Sequence, residues 1–152
     1  MSWADSDIQF MRAAIAEAER ANVANEVPVG AVVVSSGNVI GSGFNRSIQE
    51  CDPSAHAEIV ALRSAATHQG NHRLTGATVY VTLEPCPMCV GAMIQARIQR
   101  LVFGAYDPKA GAVGSVVDLS DIKALNHRLE INGGLLEAEC SAPLQEFFSA
   151  KR

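Results

Sequence analysis

The sequence predicts a three-layer α/β fold. Three observations carry that expectation. Helical and β-branched stretches alternate along the chain, 48% of the 152 residues are apolar, and no repeat or linker interrupts the pattern. A single domain over residues 1–152 follows, at a length usual for one core.

Residues 5–24 place Ile8, Met11, Ile15 and Ala18 at three- and four-residue spacing among Glu17, Glu19 and Arg20, the pattern of an Ala-rich amphipathic helix. Residues 29–34 are apolar and β-branched, Ser35-Ser36-Gly37-Asn38 forms a turn, and Val39-Ile40 resumes an extended run, so a hairpin is expected. Gly41 and Gly43 in its second strand predict close packing or a bulge. Residues 46–55 form a polar loop, and Ser54 is the expected N-cap of a helix running to about residue 68. A strand over 77–83, a helix over 87–96 and a short strand over 100–104 follow. The Gly-rich stretch 107–115 reads as a loop, 120–125 as a small helix and 128–131 as a short last strand. Beyond Gly133-Gly134, residues 135–148 read as a helix with Leu136, Cys140, Leu144 and Phe147 on one stripe.

Charge and cysteine usage narrow the function class. The net charge of −4, from 12 Lys and Arg against 16 Asp and Glu, argues against broad coating of nucleic acid and leaves room for a local basic footprint. Four cysteines do not make a disulfide scaffold; Cys86 and Cys89 form a C-x-x-C, which in a reducing compartment points to metal or redox chemistry. Cys51 and Cys140 read as ordinary buried thiols. The N-terminal region has Asp5 and Asp7 and no apolar core of a signal peptide, no stretch approaches the ~18 apolar residues of a membrane span, and the Asn45-Arg46-Ser47 sequon reads as accidental. A cytoplasmic location is expected.

The strongest chemical signal is His56-Ala57-Glu58, followed after a strand by Pro85-Cys86-Pro87-Met88-Cys89. Cysteines three apart put both sulfurs on one side of a helical turn, where they can share an ion. With Cys86 as N-cap, Pro87 falls at the first helical position, where its missing N–H costs nothing. A helix N-terminus favours thiolates, the form that binds zinc. His56 would lie in the first turn of its own helix, near the second position if Ser54 caps. One imidazole and two thiolates leave the fourth tetrahedral corner open, the arrangement of a catalytic zinc. Glu58, two residues after the histidine, is placed to move protons between water, ring and departing amine. A zinc finger would need four protein ligands, and His68, His72 and His127 do not pair with cysteines at finger spacing.

These motifs resemble the cytidine and deoxycytidylate deaminase superfamily, and within it the bacterial tRNA-specific adenosine deaminases. The resemblance covers nearly the whole chain, through Glu26-Val27-Pro28-Val29-Gly30-Ala31, Gly43-Phe44-Asn45-Arg46, the two metal motifs, Asp107-Pro108-Lys109-Ala110-Gly111-Ala112 and Asn126-His127-Arg128. It implies a cytidine-deaminase-like α/β/α fold with a five-stranded mixed sheet, one zinc per subunit, a homodimer, and conversion of the wobble adenosine of a tRNA anticodon loop to inosine. Carried over by residue, His56, Cys86 and Cys89 bind the metal and Glu58 is catalytic. Asn45 would meet the extruded base or its ribose, the backbone around Leu83 and Glu84 the base edge, and Val29 and Ala31 the pocket wall. Asp107, Lys109, Asn126 and the C-terminal residues would meet neighbouring nucleotides.

Two features depart from the pattern. Tyr106 stands where some relatives carry a basic residue, so stacking can replace a phosphate contact. The tail after Phe147-Phe148 is basic only at Lys151 and Arg152, and the two rings are expected to divide between core and interface. A dimer could gather Arg97, Arg100, Lys109, Arg128, Lys151 and Arg152 on one footprint. The rival enzyme reading is deamination of a free base or nucleoside of guanine or cytosine type. A rival of another class is a catalytically silent zinc protein acting as a dimeric scaffold.

Overall fold

The computed structural model describes residues 2–151. Helix α1 (Asp5–Val23) leads into an antiparallel hairpin, β1 (Gly30–Ser35) and β2 (Asn38–Phe44). Ser36 and Gly37 both adopt positive φ, 52° and 78°, as a two-residue hairpin turn with right-handed strand twist requires. Then come α2 (Ala57–Gln69), β3 (Thr78–Leu83), α3 (Pro87–Gln95) and β4 (Arg100–Ala105). A small hairpin of β5 (Asp121–Ile122) and β6 (His127–Arg128) precedes β7 (Glu130–Gly133) and α4 (Glu137–Ala150).

The main sheet has five strands in the order β2-β1-β3-β4-β7. Its first three strands are antiparallel neighbours, and β3, β4 and β7 run parallel, so the sheet is mixed as expected. Helices α1 and α4 cover one face, α2 and α3 the other. Coverage of both faces explains why Val79, Tyr80 and Val81 of β3 and Leu101, Val102 and Phe103 of β4 are all buried, with no polar alternation.

Both meanings proposed for the β2 glycines hold. The register slips between Val33 and Val34, leaving Ile40 as the bulged residue. Helix α2 lies directly on the strand: a Cβ on Gly41 would sit 2.5 Å from Ala65 N, and one on Gly43 would sit 2.7 Å from Ala61 N. On the opposite face, buried Asp7 of α1 accepts hydrogen bonds from Tyr80 Oη at 2.7 Å and Arg100 Nη1 at 2.8 Å, tying α1 to β3 and β4.

Several local expectations need correction. Residues 120–125 do not form an α-helix; they supply β5 and a single 3₁₀ turn, because six residues ending at left-handed Asn126 (φ 56°) are too few to nucleate one. The expected last strand is split, Arg128 pairing with Asp121 and residues 130–133 with β4. The final helix starts at Glu137, since Leu136 takes a left-handed conformation at its N-cap. Cys140 is buried as expected, whereas Cys51 is exposed, because the polar 46–55 loop has no core against it. Phe147 is half-buried and Phe148 exposed, their rings 5.4 Å apart edge to face, and Arg152 lies outside the described residues.

Candidate active site

The site forms where the carboxyl ends of β3 and β4 meet the N-termini of α2 and α3, next to the point where the sheet changes from antiparallel to parallel. Such a crevice is where open α/β sheets collect ligands. Cys86 is the N-cap of α3 with Pro87 in the first turn, as the sequence predicts. His56, and not Ser54, is the N-cap residue of α2. Ser54 is engaged one turn earlier, its backbone N–H and hydroxyl both donating to Asp52 Oδ1 at 2.8 and 2.7 Å. Glu58 therefore occupies the second helical position, and His56 sits in extended backbone just outside the helix.

His56 Nδ1 lies 3.6 Å from Cys86 Sγ and 3.5 Å from Cys89 Sγ, and the sulfurs are 3.7 Å apart. Donors at the corners of a tetrahedral zinc site, with Zn–S of about 2.3 Å and Zn–N of about 2.05 Å, are separated by about 3.8 Å (S to S) and about 3.6 Å (S to N). The three donors thus stand at the spacing zinc requires, and they are the described His, Cys, Asp and Glu residues grouped closely enough to hold a metal ion. Electrostatics point the same way. The hydrogen-bonded contact with Cys89, with His56 beside it, brings the Cys86 thiol down to about 4 despite burial. The Cys86 sulfur and burial push Cys89 up, and the contact with Cys86 raises His56. Without a cation the pair keeps one proton; a divalent ion lets both sulfurs ionise.

Glu58 is 4% exposed, and burial lifts its carboxyl to about 7. It shares a cavity of about 220 Å³ with His56 and Cys86. Of the residues singled out from sequence, Val29, Asn45, Leu83, Glu84 and Asp107 line that cavity, joined by Val27, Ala57 and Ala110. Asn45 Oδ1 accepts from the backbone and hydroxyl of Ser47, at 3.2 and 2.8 Å, and its Nδ2 has no protein partner among the described residues. Tyr106 is half-exposed and packs edge-on against Phe103 at 5.0 Å, one residue before the cavity-lining Asp107.

Three expected contacts are not brought to the cavity. Ala31 is fully buried between Gly43 of β2 and Val81 of β3, two residues deeper in the sheet than Val29. Lys109 is exposed on the 107–115 loop, with its N–H on Asp107 Oδ1 at 3.0 Å. Asn126 belongs to the small hairpin at the other end of β4, where His127 Nε2 donates to the Ile98 carbonyl at 2.7 Å.

Two buried carboxylates hold the loops that wall the site. Glu84 accepts from Asp107 N at 3.1 Å, Val113 N at 3.2 Å, Ser115 N at 3.1 Å and the Ser115 hydroxyl. Burial pushes its carboxyl up, but these bonds, the Ser115 hydroxyl first, outweigh it and hold Glu84 below the usual range. Gly111 packs so closely on this carboxylate that a Cβ would overlap it. On the other side, fully buried Glu26 accepts from Ile48 N at 3.1 Å and Gln49 N at 2.7 Å, fixing the loop after Asn45. Glu26 was not assigned a role from sequence. Its partners are backbone groups 22 and 23 positions away, which no residue type announces.

Comparison with known proteins decides the relationship. Residues 4–105 match the cytidine and deoxycytidylate deaminase zinc-binding region. The chain belongs to that deaminase family. Within it, the chain is 50% identical over 147 residues to the tRNA-specific adenosine deaminase of Haemophilus influenzae, covering 96% of this chain and 85% of the relative. It is 44% identical to the Bacillus subtilis protein of the same name, covering 96% and 91%. A solved tRNA:A34 deaminase superposes with a TM-score of 0.87 at 46% identity, over 90% of this deaminase chain and 99% of that one. The guanine deaminase of Nitrosomonas europaea gives 0.80 at 25% identity, over 98% and 87%.

Proposed function

We propose that this deaminase converts the wobble adenosine of a tRNA anticodon loop to inosine, consuming water and releasing ammonia. The observation that carries the chemistry is a three-donor His/Cys/Cys set at tetrahedral spacing, two of its members, His56 and Cys86, lining one cavity with the buried carboxylate of Glu58. The substrate follows from relatives at 44–50% identity over nearly the full chain.

His56, Cys86 and Cys89 would hold one zinc per chain. Bound there, zinc supplies the Lewis acidity that makes water a competent nucleophile near neutral pH. Glu58 takes a proton from the attacking water and gives it to the ring nitrogen next to C6 as that carbon becomes tetrahedral. It then takes the remaining proton from the new C6 hydroxyl and passes it to the exocyclic amine, the C6–N bond breaks with the hydroxyl oxygen becoming the carbonyl, and ammonia departs. Asn45 donates through Nδ2 to the extruded nucleoside, and Val29 with the backbone of Leu83 and Glu84 bounds the base. Asp107 sits at the rim with Lys109 next to it on the loop, where neighbouring nucleotides pass.

The homodimer belongs to this proposal. An apolar groove between α2 and α3, lined by Ile59, Leu62, Met88 and Ala92 among others, is the surface a second copy would cover. Asn126 would meet nucleotides of the same loop that lie outside the cleft. A cytoplasmic location goes with a tRNA substrate, and no helix among the described residues is long and apolar enough to cross a membrane.

The test is incubation of the zinc-loaded protein with a transcribed anticodon stem-loop bearing adenosine at the wobble position, with free adenosine, cytidine and guanine in parallel. Inosine at the wobble position of the stem-loop, with no turnover of the free compounds, is the expected result. Rapid deamination of guanine or cytidine with an untouched stem-loop would overturn it.

A further inference from the structure

We infer that a hollow walled by Arg73, Arg97 and Arg128 binds phosphates of the RNA backbone beyond the nucleotides in the cleft. The inference rests on the substrate reading above and adds a second contact region to it.

Most arginines of this acidic chain are neutralised locally: Arg12, Arg20, Arg46, Arg63 and Arg100 each have a carboxylate partner. Arg100 is therefore withdrawn from any RNA footprint. Arg73 and Arg97 have no carboxylate partner among the described residues, and they line one hollow of about 430 Å³ with Arg128. Its other walls are Thr75, Gly76, Gln99 and His127, with no acidic residue among them. Arg128 pairs with one carboxylate, Asp121 at 3.7 Å, with both side chains largely exposed, and on its other side it borders a hollow that Asp118 and Glu130 also line. Such a pair contributes little and yields readily to a better anion.

The hollow is assembled from three segments. Arg73 precedes β3, Arg97 follows α3, and the bond from His127 to the Ile98 carbonyl fastens the Arg128 segment to the Arg97 turn. Arg97 has a left-handed backbone, φ 61°, a conformation that disfavours a residue with a Cβ. Among the described residues, only one of its side-chain donors is used, to the Ile94 carbonyl at 3.4 Å. That contact compensates the C-terminus of α3 and leaves most of the guanidinium fork available. Guanidinium groups gathered around one hollow repel each other until an anion joins them, and their planar forks match phosphate.

Position selects a polymer over a single phosphorylated metabolite. Gln99 in the hollow precedes β4, and Asp107 at the cleft follows it. The six residues of β4 that separate them span about 20 Å at ~3.3 Å each, too far for one nucleotide to touch both regions. An RNA stem-loop is long enough, on one protomer or across two.

The experiment measures binding of the stem-loop and of full-length tRNA over a salt series, alongside single-turnover deamination at saturating RNA. The variant is Arg73→Gln with Arg97→Gly, glycine being chosen because it suits the left-handed backbone. Each lost phosphate contact should reduce the log–log salt slope by about 0.7–0.9, and together they should weaken binding about tenfold or more at low salt. Zinc content and the single-turnover rate should stay at parental values. Arg12→Gln, which removes a positive charge elsewhere, should leave the slope unchanged. If the double variant folds poorly, Arg73→Gln alone should show half the slope change. Parental affinity and slope in the variants, while the parent deaminates the stem-loop, overturn this inference alone. A parent that binds no RNA and turns over only a free base overturns the substrate reading and this inference together.

Discussion

Glu58 and Glu84 are both buried acids at the cleft, and their surroundings assign them different work. Burial, which outweighs the opposing charge of His56, lifts the Glu58 carboxyl to about 7 beside the proposed metal donors, the range of a proton carrier. Glu58→Gln should retain one zinc per chain and the parental circular dichroism while losing roughly 10²–10⁴-fold in single-turnover rate. A zinc-loaded variant within threefold of the parent would remove Glu58 from the chemistry. Glu84 spends its oxygens on the 107–115 loop, so Glu84→Gln puts an NH₂ group against N–H donors and should cost about 1–3 kcal/mol of stability. The displaced loop carries Asp107 and Ala110, so KM for the stem-loop should rise more than kcat falls, and the reverse split would show that Glu84 acts on the reacting base. The metal donors and Glu58 were legible in the sequence because their spacing is local to two helix starts. The loop clamps were not, because a buried carboxylate bonded to backbone N–H groups leaves no mark in its partners' residue types.

At the scale of elements, the position of α2 follows from the absence of side chains on β2. The backbone of α2 rests where Cβ atoms of Gly41 and Gly43 would be, and that contact places His56 and Glu58 at the end of β3. Gly43→Ala forces strand and helix apart, since its Cβ would lie 2.7 Å from Ala61 N and 2.8 Å from Ala57 O. Overpacking of this kind costs about 1–3 kcal/mol. The expected outcome is a lower Tm with a larger loss in kcat than the stability change alone explains, because the displaced helix start carries the proposed ligand His56 and the proposed proton carrier Glu58. An Ala variant with parental kcat would show that α2 is held by other contacts. The long periodic helices and the buried strands were readable from apolar spacing. Residues 120–136 were not, because their short strands are stabilised by pairing with β4 and each other, and left-handed Asn126 and Leu136 set their ends.

For the whole molecule, acid stability is the property that connects the face opposite the site to the rest of the fold. Asp7 joins α1 to β3 and β4, and the Arg100 hydrogen bond, with help from Tyr80, holds its carboxyl below the ordinary aspartate value against the opposing effect of burial. A carboxyl depressed in the folded chain favours folding when ionised. Its contribution is complete above the unfolded aspartate value of about 3.9 and is lost as the pH falls through the lower folded value. The parent should therefore lose stability progressively below about pH 4, with Asp52, Glu84 and Asp118, all likewise depressed, contributing to the same slope. Asp7→Asn keeps an oxygen for Tyr80 to donate to but gives Arg100 no charge. It should cost about 1.5–3 kcal/mol at neutral pH, the worth of a hydrogen bond to a charged group. Urea unfolding of parent and variant between pH 7 and pH 3 measures both quantities. The two curves should converge as the pH falls, since protonating Asp7 in the parent removes what the variant already lacks. A gap that stays constant down to pH 3 would mean that Asp7 stabilises the fold by shape and hydrogen bonding, with its charge making no contribution.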